Sequence, residues 1–339
     1  MTDYRELLAV FTSSPLGLVA ILSALGLMLV NGWTDAPVNI ATAIHSGAVG
    51  AKSAVILSAV CNLLGAGVMA FGGNSVAISL FNISGLNEVK SNALTAVTAS
   101  FISVVLWALF ALYFGLPTSE SHALMAALSG SAAALQGFSA INGTEWLKAL
   151  LGILLSTVPV TVVTFFVANI FKRQSTLSDN IFKKLQVLGA ALSSFSHGAQ
   201  DGQKLAGVLA LTSVLCASGQ TDQTEVPLWT VLTSAFMISL GTLLGGRKII
   251  KKFKSFAPTD PKSGFSTDLV SAVSLCALAV LGLPASTTHA KSSAVLGAGL
   301  IDRRLTVQMH SFKSMAIVWL LTFPVSAVLG FTLTKVMIK

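Results

Sequence analysis

Long apolar runs separated by short polar stretches set the pattern along this chain. A helix needs about 18 or more apolar residues to cross the hydrocarbon core of a membrane. Runs near or above this length are Val55–Phe71, which can be extended at both ends, Ala93–Leu116, Trp146–Phe171, Leu228–Gly245 and Met315–Leu333. The pattern therefore predicts an all-α polytopic membrane protein, held in membrane lipid by several spans.

One apolar run, from near Leu16 to about Ala48, is interrupted by the polar segment Asn31–Thr42. Its aspartate, Asp35, is costly at membrane depth, which makes it a candidate functional residue. Gly32 and Pro37 favour a helix that stops and restarts. We predict a broken helix over about 15–49.

Two polar motifs recur at nearly one offset, which indicates an internal duplication. The segment His197–Lys204 echoes the first break, with Asp201 lying 166 residues after Asp35. The motif of Leu116–Ala123 recurs at residues 283–290, and Pro284 lies 167 residues after Pro117.

The duplication divides the chain into residues 1–171 and 185–339, joined by a cytoplasmic linker at 172–184. We predict a second broken helix at about 185–218 and two re-entrant helical hairpins, at about 92–138 and 266–301. Polar backbone at membrane depth is tolerated in such hairpins. Three crossings in each half would make an inverted-topology repeat. The first arm of the first hairpin, Ala93–Gly115, is also long enough for a full crossing, and that alternative stays open.

Charge supports this topology and argues against nucleic acid as a partner. The chain is 53% hydrophobic and 10% charged, with a mean hydropathy of +0.79 and a net charge of +8. Its 21 Lys and Arg lie mostly in loops, fourteen on the linker side and five opposite. This bias marks the linker side as cytoplasmic and places both termini outside the cell membrane.

The recurring polar groups suit two kinds of ion. Side-chain oxygens of Asp35, Asn39 and Asp201, with those of Gln200 and Gln203, are of the type that binds Na⁺. The hydroxyls of the first hairpin tip, residues 118–121, and of the second, residues 286–288, suit a tetrahedral oxyanion such as phosphate, together with free N–H groups of helices that begin there. Simple alternatives are a structural aspartate pair and helix capping by Ser and Thr.

These four motifs resemble the inorganic phosphate transporter (PiT) family of sodium- or proton-coupled symporters. In that family each half carries a Gly-x-Asn/Thr-Asp-Ala-x-Asn-like motif, here at Gly32–Thr42 and His197–Lys204, and a Pro-x-Ser-x-x-His motif, here at Pro117–His122 and Pro284–His289. The resemblance implies a homodimer, phosphate and cations near the centre, and an elevator-like transport domain.

Two sets of site residues follow from the motifs and the resemblance. The sodium-binding candidates are Asp35, Asn39, Asp201, Gln200, Asn31 and Glu120. The phosphate-binding candidates are Thr118, Ser119, Ser121, Ser286, Thr287, Thr288, Gln203 and Lys204. Asn39 departs from the family pattern by one position, where the chain has Val38. Lys204 could instead pair with Asp201, and Lys291 has no counterpart in the first half.

The sequence thus predicts a secondary active symporter that imports inorganic phosphate with Na⁺ or H⁺ and needs no other cofactor. A transporter or passive channel for another oxyanion, such as sulfate, is the alternative, although a channel would need a continuous polar pore. The chain has no Gly-x-Ser-x-Gly or His-Glu-x-x-His motif, which argues against an enzyme.

Overall fold

The computed structural model of the protein describes residues 14–69, 82–83, 86, 92–217, 226–255, 257–301 and 305–339. Over these ranges the chain is helical and contains no β-strand. The α-helices are α1 Pro15–Thr34, α2 Ala36–His45, α3 Ala51–Met69, α4 Ala93–Tyr113, α5 Glu120–Gln136, α6 Gly143–Arg173, α7 Asp179–Ala217, α8 Leu228–Leu243, α9 Arg247–Phe253, α10 Pro261–Val280, α11 Thr287–Gly299 and α12 Leu305–Ile338. A 3₁₀ turn, Phe138–Ala140, follows α5.

Six helical segments of the described part are long and apolar enough to span a membrane. They are Pro15–His45, Ala51–Val68, Ala93–Tyr113, Gly143–Arg173, Pro261–Val280 and Phe312–Ile338. A seventh span results if α8 and α9, which are bent by 70° at their junction, count as one. The all-α polytopic prediction is confirmed. The first arms of the two predicted hairpins, α4 and α10, are among the six.

The break predicted in the first helix is confined to one residue. Asp35 lies between α1 and α2 in a helical conformation (φ −93°, ψ −41°), and its N–H donates to the carbonyl of Asn31 at 2.9 Å. Pro37 has no N–H to donate to the carbonyl of Trp33 one turn earlier. The proline therefore interrupts the ladder of hydrogen bonds beside the carboxylate.

The second predicted break, at 185–218, was wrong: α7 runs without interruption from Asp179 to Ala217. This segment contains no proline, and its glycines Gly189, Gly198 and Gly202 pack closely against neighbouring helices. A Cβ on Gly198 would lie 2.2 Å from the carbonyl oxygen of Asn62 on α3. The connection before α7 is also shorter than the predicted linker 172–184, because α6 ends at Arg173 and α7 begins at Asp179.

The two helix ends that precede the Pro-Ser-His motifs have the same backbone geometry. Gly115 after α4 and Gly282 after α10 have φ of +66° and +68°, a region that favours glycine. The next N–H in each case closes on the helix: Leu116 donates to Ala111 at 2.9 Å and Leu283 to Leu278 at 3.0 Å. The chain then continues to α5 after the first of these ends and to α11 after the second.

Helices of one half pack against helices of the other through paired glycines. On α1 and α8, a Cβ on Gly32 would lie 2.0 Å from the Ile238 carbonyl, and one on Gly241 would lie 2.0 Å from the Leu29 carbonyl. The same arrangement joins α7 and α3, where Gly198 meets the Asn62 carbonyl and Gly65 the Phe195 carbonyl. Gly198 follows Gly32 by 166 residues and Gly241 follows Gly65 by 176.

The helices that follow the two hairpin tips also pack against helices of the other half through glycines. Gly130 of α5 packs on the Ala327 carbonyl of α12, and Gly297 of α11 packs on the Thr161 carbonyl of α6. Small residues at such crossings let helix backbones approach closely, which is how helices associate in lipid. Each half is therefore completed by packing against the other.

The glycine contacts predict a difference between two substitutions on α3. Gly65→Ala should lower the free energy of unfolding by about 1–3 kcal/mol, because the new methyl group overpacks the crossing with α7. Gly67→Ala is the matched control, since a Cβ there meets nothing within 4 Å. Denaturant unfolding of the detergent-solubilised protein measures both. Equal losses in the two variants would contradict the packing argument.

Candidate functional site

Asp35 and Asp201, the two repeat-matched aspartates, meet at the centre of the helix bundle. The Nδ2 of Asn31 donates to Asp35 Oδ2 at 3.4 Å and to Asp201 Oδ2 at 3.3 Å. All three side chains are buried, at 3% exposure or less. The Asn31 amide thus bridges two carboxylates. Asp35 lies at the break after α1, and Asp201 lies on the continuous helix α7.

Lys204 lies one turn after Asp201 on α7 and is the cation of this cluster. Its Nζ is 2.7 Å from Asp201 Oδ1 and donates to Ser121 Oγ at 2.8 Å and to the carbonyl of Ala285 at 2.5 Å. These partners belong to the first hairpin tip and to the segment just before the second. The lysine therefore ties α7 to both tips while it neutralises one carboxylate.

Two further hydroxyl–carboxylate contacts close the cluster. Thr34 on α1 hydrogen-bonds to Glu120, the first residue of α5. Thr288 on α11 donates to Asp35 Oδ1 at 3.2 Å. The site thus contains three buried carboxylates, those of Asp35, Glu120 and Asp201, around one ammonium group.

His197 extends the cluster on the α7 side through a chain of hydrogen bonds with a defined direction. Thr242 Oγ1 donates to the Ile238 carbonyl, so it accepts from Asn62 Nδ2 at 3.1 Å. Asn62 Oδ1 must then accept from Nδ1 of His197, at 2.9 Å. In the neutral ring this leaves a lone pair on Nε2, which faces Asp201 Oδ2 at 3.4 Å.

Two acceptors that face each other in a buried site require a cation or a proton between them. Ligand atoms of Asp35, His197 and Asp201 all lie within 4.8 Å of one another, a spacing that could hold a metal ion. Oxygen atoms predominate among the neighbouring groups, and oxygen ligands favour hard cations. This side of the cluster is a candidate cation site.

The cavity at the cluster measures about 10 Å³ and is lined by Leu27, Asn31, Glu120, Ser121, Leu124, Asp201, Lys204 and Leu205. A cavity needs roughly 10–15 Å³ to hold one water molecule. The space therefore suits one water or one small ion and is too small for a phosphate. In this conformation the cluster is closed.

Seven of the fourteen predicted site residues come together in this cluster. They are Asn31, Asp35, Glu120, Ser121, Asp201, Lys204 and Thr288. For Lys204, the pairing with Asp201 that the sequence left open is present.

Three of the other predicted residues cap helices or bind elsewhere. Ser119 and Ser286 are the N-caps of α5 and α11, and their hydroxyls accept from the N–H of His122 at 3.4 Å and of His289 at 3.2 Å. The Thr118 hydroxyl lies 2.9 Å both from Trp107 Nε1 and from Thr322 Oγ1, so its bonds point to α4 and α12.

The amide candidates differ in their surroundings. Gln200 donates to the Leu283 carbonyl at 3.1 Å, before the second tip. Gln203 is buried, and its amide has no hydrogen-bond partner. Asn39 Oδ1 accepts from Ser193 at 3.0 Å, and its carbonyl accepts from Lys291 at 3.2 Å. The shift from position 38 to 39 thus gives Asn39 partners in a second polar network. Thr287 is buried beside the Ser286 cap.

Sequence reasoning missed three polar residues, Thr34, Asn62 and Asp268, and it did not place His197 beside Asp201. Asn62 and Asp268 were detectable in principle, because an amide or a carboxylate stands inside an apolar run. Neither belongs to a repeated motif, and no local pattern indicates which helix each would face.

A sequence profile of the Phosphate transporter family matches residues 31–180 and again residues 171–330. The chain belongs to this family. It is 33% identical over 321 residues to a probable low-affinity inorganic phosphate transporter of Bacillus subtilis, with 93% of this chain and 95% of the relative covered. A protein of the same description from Rhizobium meliloti is 31% identical, with 93% of each chain covered.

Two further matches concern sodium-dependent proteins. Sodium-dependent phosphate transporter 1-A of Danio rerio is 34% identical over 152 residues, which cover 44% of this chain and 23% of the relative. A solved structure described as the sodium-dependent phosphate transporter superposes with a TM-score of 0.80 at 22% identity and covers 95% of this chain and 98% of its own. It shows that the two proteins share a fold. Family members are transporters, which confirms that this phosphate transporter is not an enzyme.

The Lys204 contacts predict a strong effect of its removal. Lys204→Met should lower the free energy of unfolding by about 3 kcal/mol or more, because it leaves Asp201 buried without its ion-pair partner. Lys148→Met is the control, since Lys148 is 43% exposed in its pair with Glu145 and should lose less than about 1 kcal/mol. Thermal unfolding in detergent without sodium compares them. A Lys204 variant as stable as the control would contradict the assignment.

Proposed function

We propose that this phosphate transporter is a secondary active symporter that imports inorganic phosphate across the cell membrane with Na⁺. H⁺ is the alternative coupling ion. The observation that carries the proposal is the meeting of the repeat-matched Asp35 and Asp201 in one closed cluster. Sodium is placed first because relatives of the chain are described as sodium-dependent.

The charge of the cluster supports obligatory coupling. With three carboxylates around the ammonium of Lys204, the ionised cluster has an excess of negative charge. A phosphate anion that entered it alone would add charge of the same sign at short range, which is strongly unfavourable in a medium of low dielectric constant. Cations bound by Asp35, Asp201 and Glu120 would remove this barrier. Phosphate binding would then depend on cation binding.

The helix starts at the two tips supply donors for the anion. Helices α5 and α11 begin at Glu120 and Thr287, so their first N–H groups and positive dipole ends lie at the tips. The side chains of Ser121 and Thr288 already contact the cluster. Lys204, held by both tips, could attract the same anion. These groups together are the proposed phosphate site.

Transport requires the closed cluster to open to each side in turn. We propose alternating access by an elevator-like movement of a domain that contains the two hairpins, within an inverted-topology repeat whose halves are residues 1–171 and 185–339. The crossed glycine contacts support a pseudo-twofold relation between the halves. Both termini would lie outside the cell, and the working form would be a homodimer. Every side chain of the cluster is at most 7% exposed to solvent, which supports a carrier over an open channel.

Uptake of radiolabelled phosphate into proteoliposomes tests the proposal. An inward Na⁺ gradient should drive accumulation above equilibrium, whereas an H⁺ gradient or no gradient should not. Accumulation with H⁺ alone would change the coupling ion. Equilibration without accumulation under all three conditions would establish a passive channel. Excess unlabelled sulfate should leave uptake unchanged, and strong competition by sulfate would widen the substrate to other oxyanions.

Neutralising either central aspartate should abolish coupled uptake. Asp35→Asn and Asp201→Asn should each reduce Na⁺-driven accumulation at least about tenfold, since a factor of ten requires only about 1.4 kcal/mol of lost cation binding. Asp179→Asn is the control, because this exposed aspartate begins the same helix as Asp201. Normal accumulation by either central variant, with protein that remains folded, would refute the site assignment.

A further inference from the structure

A second buried polar network lies around Lys291 of α11. The Nζ of Lys291 donates to the carbonyl of Asn39 at 3.2 Å and to Ser193 Oγ at 3.3 Å, and it forms an ion pair with Asp268 Oδ1. Thr42 Oγ1 donates to the same carboxylate oxygen at 2.5 Å. The ammonium group is therefore surrounded by a carbonyl, a hydroxyl and a carboxylate.

This arrangement joins four helices in the interior of the protein. Asn39 and Thr42 lie on α2, Ser193 on α7, Asp268 on α10 and Lys291 on α11. Each of these side chains is at most 1% exposed. Asp268 Oδ2 and Asn39 Nδ2 have no hydrogen-bond partner, so the network retains capacity for another polar group.

Folding of a hairpin does not require this ion pair. In the first half, Leu124 occupies the position that matches Lys291, and it packs in an apolar cluster. The arms α4 and α5 of the first hairpin are joined by a neutral hydrogen bond between Ser100 and Ser131 at 2.8 Å. A buried ion pair is also weak evidence of stabilisation, because apolar replacements of the same volume are often as stable. The pair at the second hairpin therefore calls for another explanation.

We propose that these oxygens form a monovalent-cation site that the Lys291 ammonium occupies as a built-in ion. Carboxylate, carbonyl and hydroxyl oxygens are the ligands that hard cations take. An ammonium group is a compact point charge that can stand in for such a cation. Because it is covalently attached, it holds α2 against the second hairpin whatever the salt outside. Without the lysine side chain, the site would bind a free Na⁺ or ammonium ion.

Cation-dependent stability of Lys291→Ala tests the site without phosphate or transport. The purified protein is unfolded thermally in detergent in choline, sodium or ammonium chloride at equal ionic strength. At about 100 times the dissociation constant, a bound ion should raise the Tm of Lys291→Ala by about 5 °C. Choline is too large to enter and gives the baseline.

Asp268→Asn/Lys291→Ala is the matched control, since it removes the carboxylate and leaves the central Asp35 and Asp201 unchanged. Any stabilisation from the central cluster is common to both variants and cancels in the comparison. The additional Tm increase in sodium or ammonium should be present in Lys291→Ala and absent in the double variant. Equal salt responses of the two variants would overturn the proposal.

A charge-free variant covers the possibility that Lys291→Ala does not fold. Asp268→Asn/Lys291→Met removes both charges and keeps similar volume, so it should fold in any salt. If this variant folds while Lys291→Ala stays unfolded in choline, sodium and ammonium alike, the site does not accept a free cation and the proposal falls. If sodium or ammonium during solubilisation recovers folded Lys291→Ala, the proposal is supported.

A transport measurement then tests whether the cation bound in place of the Lys291 ammonium affects transport. Only this measurement rests on the proposed symport. Uptake of phosphate by Lys291→Ala should depend more steeply on sodium than uptake by the unaltered protein, with an apparent Hill coefficient higher by about one. The unfolding experiment is decided independently, so a failure of the symport proposal leaves the cation site testable.

Discussion

Buried charge around Lys204 is the constraint on which the rest of the structure depends. The cluster contains one ammonium group, which pairs with Asp201, and three carboxylates, and each of these side chains is at most 3% exposed. Such an excess is tolerable only with additional cations or protons. The helix break at Asp35, the hydrogen bonds of Asn31 and the orientation of His197 by Asn62 all direct polar atoms to this point. The composition of the site thus supports the proposed binding of cations.

The duplication brings these charges together by exchanging helices between the halves. Because α1 packs on α8 and α7 packs on α3 through glycine contacts, the first aspartate is held partly by the second half and the second partly by the first. The exchange explains why a residue near position 35 and one near 201 share a single amide. It also means that neither half can be expected to form the site alone.

Sequence patterns predicted the apolar spans, the repeat and the two central aspartates, since each depends on local composition or on a motif that occurs twice. Sequence patterns were less informative where the role of a residue depends on which neighbouring helix its side chain faces. Gly198 lies in the segment that was predicted to break, yet it packs against α3 within the continuous helix α7. Asn39 lies in the network around Lys291, where its side chain accepts from Ser193 and its carbonyl from Lys291, and not in the central cluster. Asp268 was missed because no motif accompanies it, and its partners Thr42 and Lys291 come from α2 and α11.

Lys204 and Lys291, the two lysines buried in the described part of the chain, have the same kinds of partner but different surroundings. Each ammonium group lies among a carboxylate, a hydroxyl and a backbone carbonyl. Lys204 borders a cavity and holds both hairpin tips, so a change in its partners would accompany any opening of the cluster. Lys291 lies in a closed network away from that cavity and joins α2 to the second hairpin. In the proposed transport cycle, a cation that has to be released would bind beside Lys204, next to the cavity. A positive charge that has to stay in place is better supplied by a side chain, as Lys291 does.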